Sequence, residues 1–192
     1  IGTYIGLTGA SCGPAEAIYA GFADHYMATD RLDELVTTLA ALPAGADGTE
    51  VELAIRALCE VPPSCTFEQE NASIDLAFGA NTVEGIIANL QVQGTEFCHS
   101  ALKALLQKFP TSLKLALALL QDARSSSGLE ECLDREYAAI TSILNEADFY
   151  ECVRAAVIDK DRNPRWAPST LAEVQPPDLD ALVAAQGPLF HR

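Results

Sequence analysis

Apolar residues recur at three- and four-residue spacing along most of this chain, and that spacing predicts helices. Residues 113–120, Leu113-Lys114-Leu115-Ala116-Leu117-Ala118-Leu119-Leu120, are apolar almost all round, so this helix is expected to be covered by neighbours on most sides. Three helix starts fall within a short distance of it. Asn81-Thr82-Val83-Glu84 precedes Ile86, Ile87 and Leu90; Ser127-Gly128-Leu129-Glu130 precedes Leu133, Tyr137, Ile140 and Leu144; Asp148-Phe149-Tyr150-Glu151 precedes Val153 and Val157. Nearer the beginning, Ser11-Cys12-Gly13-Pro14-Ala15-Glu16 opens a helix that Gly21 stops, and 30–42 forms another with Leu32, Leu35, Val36 and Leu39 on one face. Residues 22–28 are the one strand candidate, read as a short strand or an extended connector. Loops are expected at 43–49 and at Val61-Pro62-Pro63-Ser64. Beyond Pro164, four more prolines (Pro168, Pro176, Pro177 and Pro188) predict an extended, wrapping tail with at most one helix, near 178–186.

Composition narrows the partners. With 49% hydrophobic residues among 192 and no uninterrupted apolar run near the roughly 18 residues of a bilayer span, the pattern predicts a globular chain and no membrane partner. A net charge of −15, from 27 acidic and 12 basic residues, repels a phosphate backbone, so no nucleic-acid partner is expected either. The charge is uneven: residues 1–100 carry 14 acids and 2 bases, residues 101–192 carry 13 acids and 10 bases. Arg154, Lys160, Arg162 and Arg165 form the local basic cluster where an anionic ligand would be met.

Catalytic signals are few. His25, His99 and His191 are isolated; Cys12, Cys59, Cys65, Cys98, Cys132 and Cys152 show no metal-ligand spacing and are expected to be reduced, buried thiols of an intracellular protein. No metal site, phosphate loop or nucleophile elbow is found, and Ser125-Ser126-Ser127 reads as a helix entry. The one suggestive segment is Asp159-Lys160-Asp161-Arg162-Asn163-Pro164-Arg165-Trp166, which places three cations and the only Trp at a helix end. It reads either as helix capping among Asp neighbours or as an anion-binding lip with Trp166 as a stacking surface.

Several segments carry a resemblance. Tyr4-Ile5-Gly6-Leu7-Thr8-Gly9, Ala20-Gly21-Phe22-Ala23-Asp24-His25-Tyr26, Ala80-Asn81-Thr82-Val83-Glu84-Gly85-Ile86-Ile87, Pro110-Thr111-Ser112-Leu113-Lys114, Asp148-Phe149-Tyr150-Glu151 and above all residues 154–166, Arg-Ala-Ala-Val-Ile-Asp-Lys-Asp-Arg-Asn-Pro-Arg-Trp, occur in the order of a known family. Over residues 1–175 the chain resembles the C-terminal half of the 3-hydroxyisobutyryl-CoA hydrolase branch of the crotonase (enoyl-CoA hydratase/isomerase) superfamily. It departs from that pattern at Cys152, where a Gly is usual, at Asp24, where a Thr is usual, and at Ser11-Cys12, which replaces an Arg-containing pair.

The resemblance implies a mainly α chain, the helical C-terminal part of a crotonase-like α/β fold of repeated β-β-α turns. It divides the chain into the end of the core (1–42), a loop-rich helical connector (43–80), the helical region (81–175) and a tail (176–192). It also implies thioester hydrolysis of a β-hydroxyacyl-CoA on the valine breakdown route, with enoyl-CoA hydratase/isomerase as the enzymatic alternative and a non-catalytic helical oligomerisation module as the third reading. The chemistry needs two backbone N–H donors for the thioester oxyanion and a carboxylate nucleophile or base. In the family these lie upstream of the residue matching Ile1, which itself opens an apolar run with no initiator Met, so a natural start elsewhere is expected. No catalytic residue is assigned here, and the chain alone is expected to be inactive. Its expected partners are an acyl-CoA substrate, bringing coenzyme A as part of the substrate and no separate cofactor, and an N-terminal crotonase half or further copies of itself. Lys160, Arg162, Arg165 and Trp166 are the candidate contacts to the CoA phosphates and adenine. The expected compartment is the cytoplasm, with the mitochondrial matrix as alternative.

Overall fold

A computed structural model describes residues 1–187 and 189. Among them the helices are α1 (Gly2–Thr8), α2 (Pro14–Tyr19), α3 (Leu32–Ala40), α4 (Gly48–Arg56), α5 (Thr66–Gln69), α6 (Asn71–Phe78), α7 (Val83–Gln93), α8 (Glu96–Leu106), α9 (Pro110–Asp122), α10 (Leu129–Leu144), α11 (Ala147–Val153) and α12 (Leu179–Gln186), with short 3-10 turns between some of them. No strand occurs among the described residues, which is the all-helical architecture expected for the closing part of a crotonase-like chain. The chain divides into two compact units, one of residues 1–10 and 72–192, the other of residues 11–71.

The larger unit is built around α9. None of its thirteen residues is exposed, and Leu113, Leu115 and Leu117 are buried, as its all-round apolar sequence requires. α1, α7 and α10 pack against it, and α8 packs against α1 and α7. Ile74, Ile86, Leu90, Cys98 and Leu105 form the fully buried centre. Tyr4 of α1 meets Phe78 edge-on with ring centroids 5.2 Å apart and lies 5.3 Å from Phe97. The ends are set locally. Thr82 Oγ1 accepts the Gly85 N–H at 3.1 Å to start α7, which Gly94 stops in the left-handed conformation (φ 61°); Thr95 Oγ1 then accepts the Cys98 N–H to start α8. The tail wraps as expected: Lys114 Nζ donates to the Val174 carbonyl, and α12, started by Asp178, packs along α10.

α10 departs from expectation. Its apolar row, Leu129, Leu133, Tyr137, Ile140 and Leu144, is exposed, while Asp134, Arg135, Ala138 and Ala139 are buried. The inward face works because its charges are satisfied and its other members are small. Arg135 pairs with Asp122 and Glu131, each at 2.8 Å, and donates to Ser126 Oγ, while Asp134 Oδ1 accepts the Leu189 N–H at 2.6 Å.

The smaller unit has a modest core of Ala15, Leu58 and Phe67 and relies on polar ties. Glu16 accepts the Thr66 N–H at 2.9 Å, joining α2 to the start of α5; Arg31 donates to the Leu58 carbonyl at 2.9 Å; α4 begins in a capping box made by Asp47 and Glu50. Residues 22–28 form the extended connector, joined to 60 by one bond from the Glu60 N–H to the Tyr26 carbonyl, with no ladder that would make a strand. The apolar face of α3 buries no residue: Leu32 and Val36 are exposed.

Candidate functional site

α11 does not stop where its regular turns end. It runs into one π-helical turn, Arg154–Ile158, closed by the Asp159 N–H on the Arg154 carbonyl at 2.8 Å, and the Arg162 N–H returns to the Ala155 carbonyl at 3.0 Å. That return puts Lys160 and Arg162 in the left-handed conformation, with φ of 56° and 53°. Each costs on the order of 1 kcal/mol for a residue with a side chain, so the surroundings must hold them there.

Arg154 does so. Its Nε and Nη2 donate to the two carboxylate oxygens of Glu151 at 2.8 and 2.7 Å, and its Nη1 donates to Asp159 Oδ2 and Asp161 Oδ2, both at 2.7 Å. Nη2 also reaches the Asn163 carbonyl at 3.2 Å. Asp161 Oδ1 accepts the Asn163 N–H, Glu151 Oε1 accepts the Arg165 N–H at 2.7 Å, and the buried carboxylate of Asp148 accepts the Ala167 N–H on both oxygens at 2.9 Å. The segment after α11 is thus tied at Asp159, Asp161, Asn163, Arg165 and Ala167 to side chains of α11 and the π turn.

The electrostatics follow from these bonds. The Arg154 guanidinium, and after it the Arg165 N–H, hold the Glu151 carboxyl at about 2, well below its ordinary 4.5, while Glu151, Asp161 and Asp159 push Arg154 upward. A carboxyl whose folded value is lowered stabilises the fold above its unfolded value and loses that contribution as it protonates. Acidification from about 4.5 to about 2 is therefore expected to loosen this segment. Trp166, the only Trp, stacks on Phe109 with centroids 5.5 Å apart and reports on it. Its fluorescence should change across that window, and Glu151→Gln should weaken the transition, leaving the share carried by Asp161; an acid-insensitive signal in the unsubstituted protein would refute the coupling.

Lys160, Arg162 and Arg165 are exposed and, among the described residues, make no ion pair, whereas the indole of Trp166 is half-buried against Phe109. Sequence reasoning placed Arg154 in the basic cluster but missed its role, and it read Asp148 and Glu151 only as a helix start. Asp148 lies inside the first turn of α11 and spends its carboxylate on Ala167 instead. The available signal was the alternation Asp-Lys-Asp-Arg at 159–162, beginning five residues after Arg154.

Other chemistry is sparse. His25 Nε2 lies 2.9 Å from Glu52 Oε1, His99 is exposed, and His191 falls outside the described residues. No group of three or more His, Cys, Asp or Glu fit for a metal ion, and no helix long and apolar enough to cross a membrane, occurs among the described residues. All six cysteines are unpaired, but only Cys98 is buried. Cys12 and Cys152 are exposed, because the first precedes α2 in a loop and the second sits on the outer side of α11. An apolar groove of about 470 Å³ runs between α1, α9 and α10, lined by Leu115, Leu119, Leu120, Ile140 and Ile143, with Lys108 at its rim. None of these places assembles a nucleophile with a base. The segment after α11 presents three exposed cations and offers no bond-making group.

The chain is 34% identical over 191 residues to mouse "3-hydroxyisobutyryl-CoA hydrolase, mitochondrial", covering 97% of this chain and 49% of the relative. Thus it spans about half the length of the curated relatives it matches. Among solved structures it superimposes on a carnitinyl-CoA dehydratase from Mycobacterium thermoresistibile with a TM-score of 0.82 and 30% identity, covering 100% of this chain and 52% of that one. An enoyl-CoA hydratase from Rhodobacter sphaeroides gives 0.77 and 36%, covering 98% and 52%. The family described as enoyl-CoA hydratase/isomerase matches residues 1–183, and with the all-helical closing architecture and the ordered motifs along it, the chain belongs to that family.

Proposed function

We propose that this chain is the helical part of an acyl-CoA thioester hydrolase of the 3-hydroxyisobutyryl-CoA hydrolase type, acting in valine breakdown. The observation that carries this reading is the 34% identity to the mouse hydrolase across 97% of this chain. Hydrolysis of a thioester requires oxyanion donors and an activated carboxylate or water, which this reading places in the part of the relatives that the chain does not span. The described residues supply the binding side. Lys160, Arg162 and Arg165 meet the phosphates of the CoA nucleotide as unpaired cations, and Trp166 offers an aromatic edge beside them. The unpaired cysteines fit a reducing compartment, and the mitochondrial naming of the mouse relative favours the matrix over the cytoplasm.

A hydratase or isomerase is favoured by the names of the two structural neighbours. A helical assembly module is favoured by the exposed row on α10. Thiol release from 3-hydroxyisobutyryl-CoA, compared with hydration of crotonyl-CoA, separates these when run on the full-length gene product with its intact mass recorded. Thioester cleavage by a protein well above 20.4 kDa, and none by the 192-residue chain, is the expected result. Hydration without thiol release would make it a hydratase, and a stable oligomer with neither activity nor CoA binding would make it an assembly module.

A further inference from the structure

Residues 148–166 carry four acids and four bases and are formally neutral, yet the two signs are not equally exposed to a ligand. The charges are sorted by bonding. Asp148 is engaged by the Ala167 N–H, and Glu151, Asp159 and Asp161 all converge on one guanidinium. Of the four bases only Arg154 is paired; Lys160, Arg162 and Arg165 are exposed with no ion pair among the described residues. The alternation matters: Asp159 and Asp161 fold back onto Arg154 while the intervening Lys160 and the following Arg162 take the left-handed conformation. In a chain of net charge −15, such sorting is what lets an anion approach here.

We propose that Arg154 is a positioning residue for phosphate recognition: by gathering Glu151, Asp159, Asp161 and the Asn163 carbonyl, it sets Lys160, Arg162 and Arg165 as one edge matched to the phosphate groups of a CoA nucleotide. This rests on the reading above that the edge meets CoA, and adds which residue builds it. Arg154 touches no ligand. Its planar fork serves several acceptors at once, which a lysine ammonium on a flexible stem does not reproduce.

The sign of an effect tests it. Removing Asp159 or Asp161 deletes a negative charge beside the edge, so Coulomb attraction alone predicts tighter anion binding. If those carboxylates act through Arg154, Asp159→Ala and Asp161→Ala each weaken binding of adenosine 3′,5′-bisphosphate, by roughly threefold to tenfold. The titration is done by calorimetry on the full-length protein, with adenosine as the uncharged control and thermal unfolding followed alongside. Arg154→Lys should weaken the same ligand about tenfold and raise KM for the acyl-CoA more than it lowers kcat. Tighter binding by both Asp variants would overturn the role of Arg154. Unchanged binding in a Lys160→Ala/Arg162→Ala/Arg165→Ala variant would overturn the CoA reading of the edge itself. Loss in that triple variant with no loss in Arg154→Lys or the Asp variants would leave the edge standing and remove Arg154 from it. Should Arg154→Lys fail to fold, the two exposed Asp positions still decide the sign.

Discussion

Leu90→Ala is expected to lower the unfolding free energy by about 3 kcal/mol and the melting temperature by about 10 °C. Leu90 is 0% exposed on α7, in line with Val83 and Ile86, where the helix packs against α8 and α9. Truncation removes its apolar contacts and leaves a cavity whose cost depends on whether the surroundings can close in. Here α7 is held in place. Asn89 Nδ2 donates to the Leu76 carbonyl at 3.1 Å and Gln93 Nε2 to the Ser73 carbonyl at 3.4 Å, both on α6, and Thr82 fixes its start. A helix pinned at both ends and along one side cannot shift to fill a void without breaking those bonds. Val92→Ala is the control on the same helix: Val92 is 88% exposed, so its loss should stay within about 0.5 kcal/mol. Urea unfolding of the two variants measures the difference, and equal midpoints would mean that α7 is not part of the cooperative core.

The reasons α7 and α9 were legible in the sequence, and α10 was not, are physical. α9 announces itself because a helix apolar on every side has no stable place except among neighbours, and α7 because its cap and apolar row agree. α10 has an equally clear row from Leu129 to Leu144, but periodicity reports only that a face is apolar and not which face is inward. What turns α10 over is the pairing of Arg135 with Asp122 and Glu131, whose partners lie on its own first turns and at the end of α9, together with the close approach that Ala138 and Ala139 allow. Residues 22–28 had strand-like residues but no second strand to bond with, so the backbone took a connector path with a single tie to residue 60. At the lip, the residue types were visible and the sorting was not. Asp-Lys-Asp-Arg reads either as helix capping or as an anion-binding lip until the two left-handed residues and the Arg154 fork show which charges are bonded within the protein and which stay exposed. Family likeness could place that segment near CoA; only the backbone geometry says which arginine is already taken.

The buried Arg135 leads to the second large effect. Arg135→Ala is expected to destabilise the protein by about 2 kcal/mol at neutral pH. The loss falls below the 3–5 kcal/mol typical of breaking a fully buried pair because the side chains of Asp122 and Glu131 are 44% and 47% exposed and can regain water. It stays substantial because the same guanidinium joins three elements: Asp122 at the end of α9, Ser126 in the following turn, and Glu131 on α10. The deficit should also depend on pH with a defined sign. Glu131 is held at about 2 from its ordinary 4.5, first by the Ser127 N–H, then by the Ser127 hydroxyl and then by Arg135. Its folded value lies below its unfolded one, so its contribution is complete above about 4.5 and disappears as the pH falls through about 2. Near pH 2 the unsubstituted protein has itself lost much of the charge that Arg135 pairs with, and the gap between it and Arg135→Ala should narrow. Because Ser127 rather than Arg135 is the first cause of the lowered value, the variant should keep part of the acid sensitivity, and Glu131→Gln should reduce it further. Chemical unfolding at pH 7 and near pH 2.5 measures all three proteins, and a deficit that is the same at both pH values would mean Arg135 stabilises α10 by packing its stem and not by its charge.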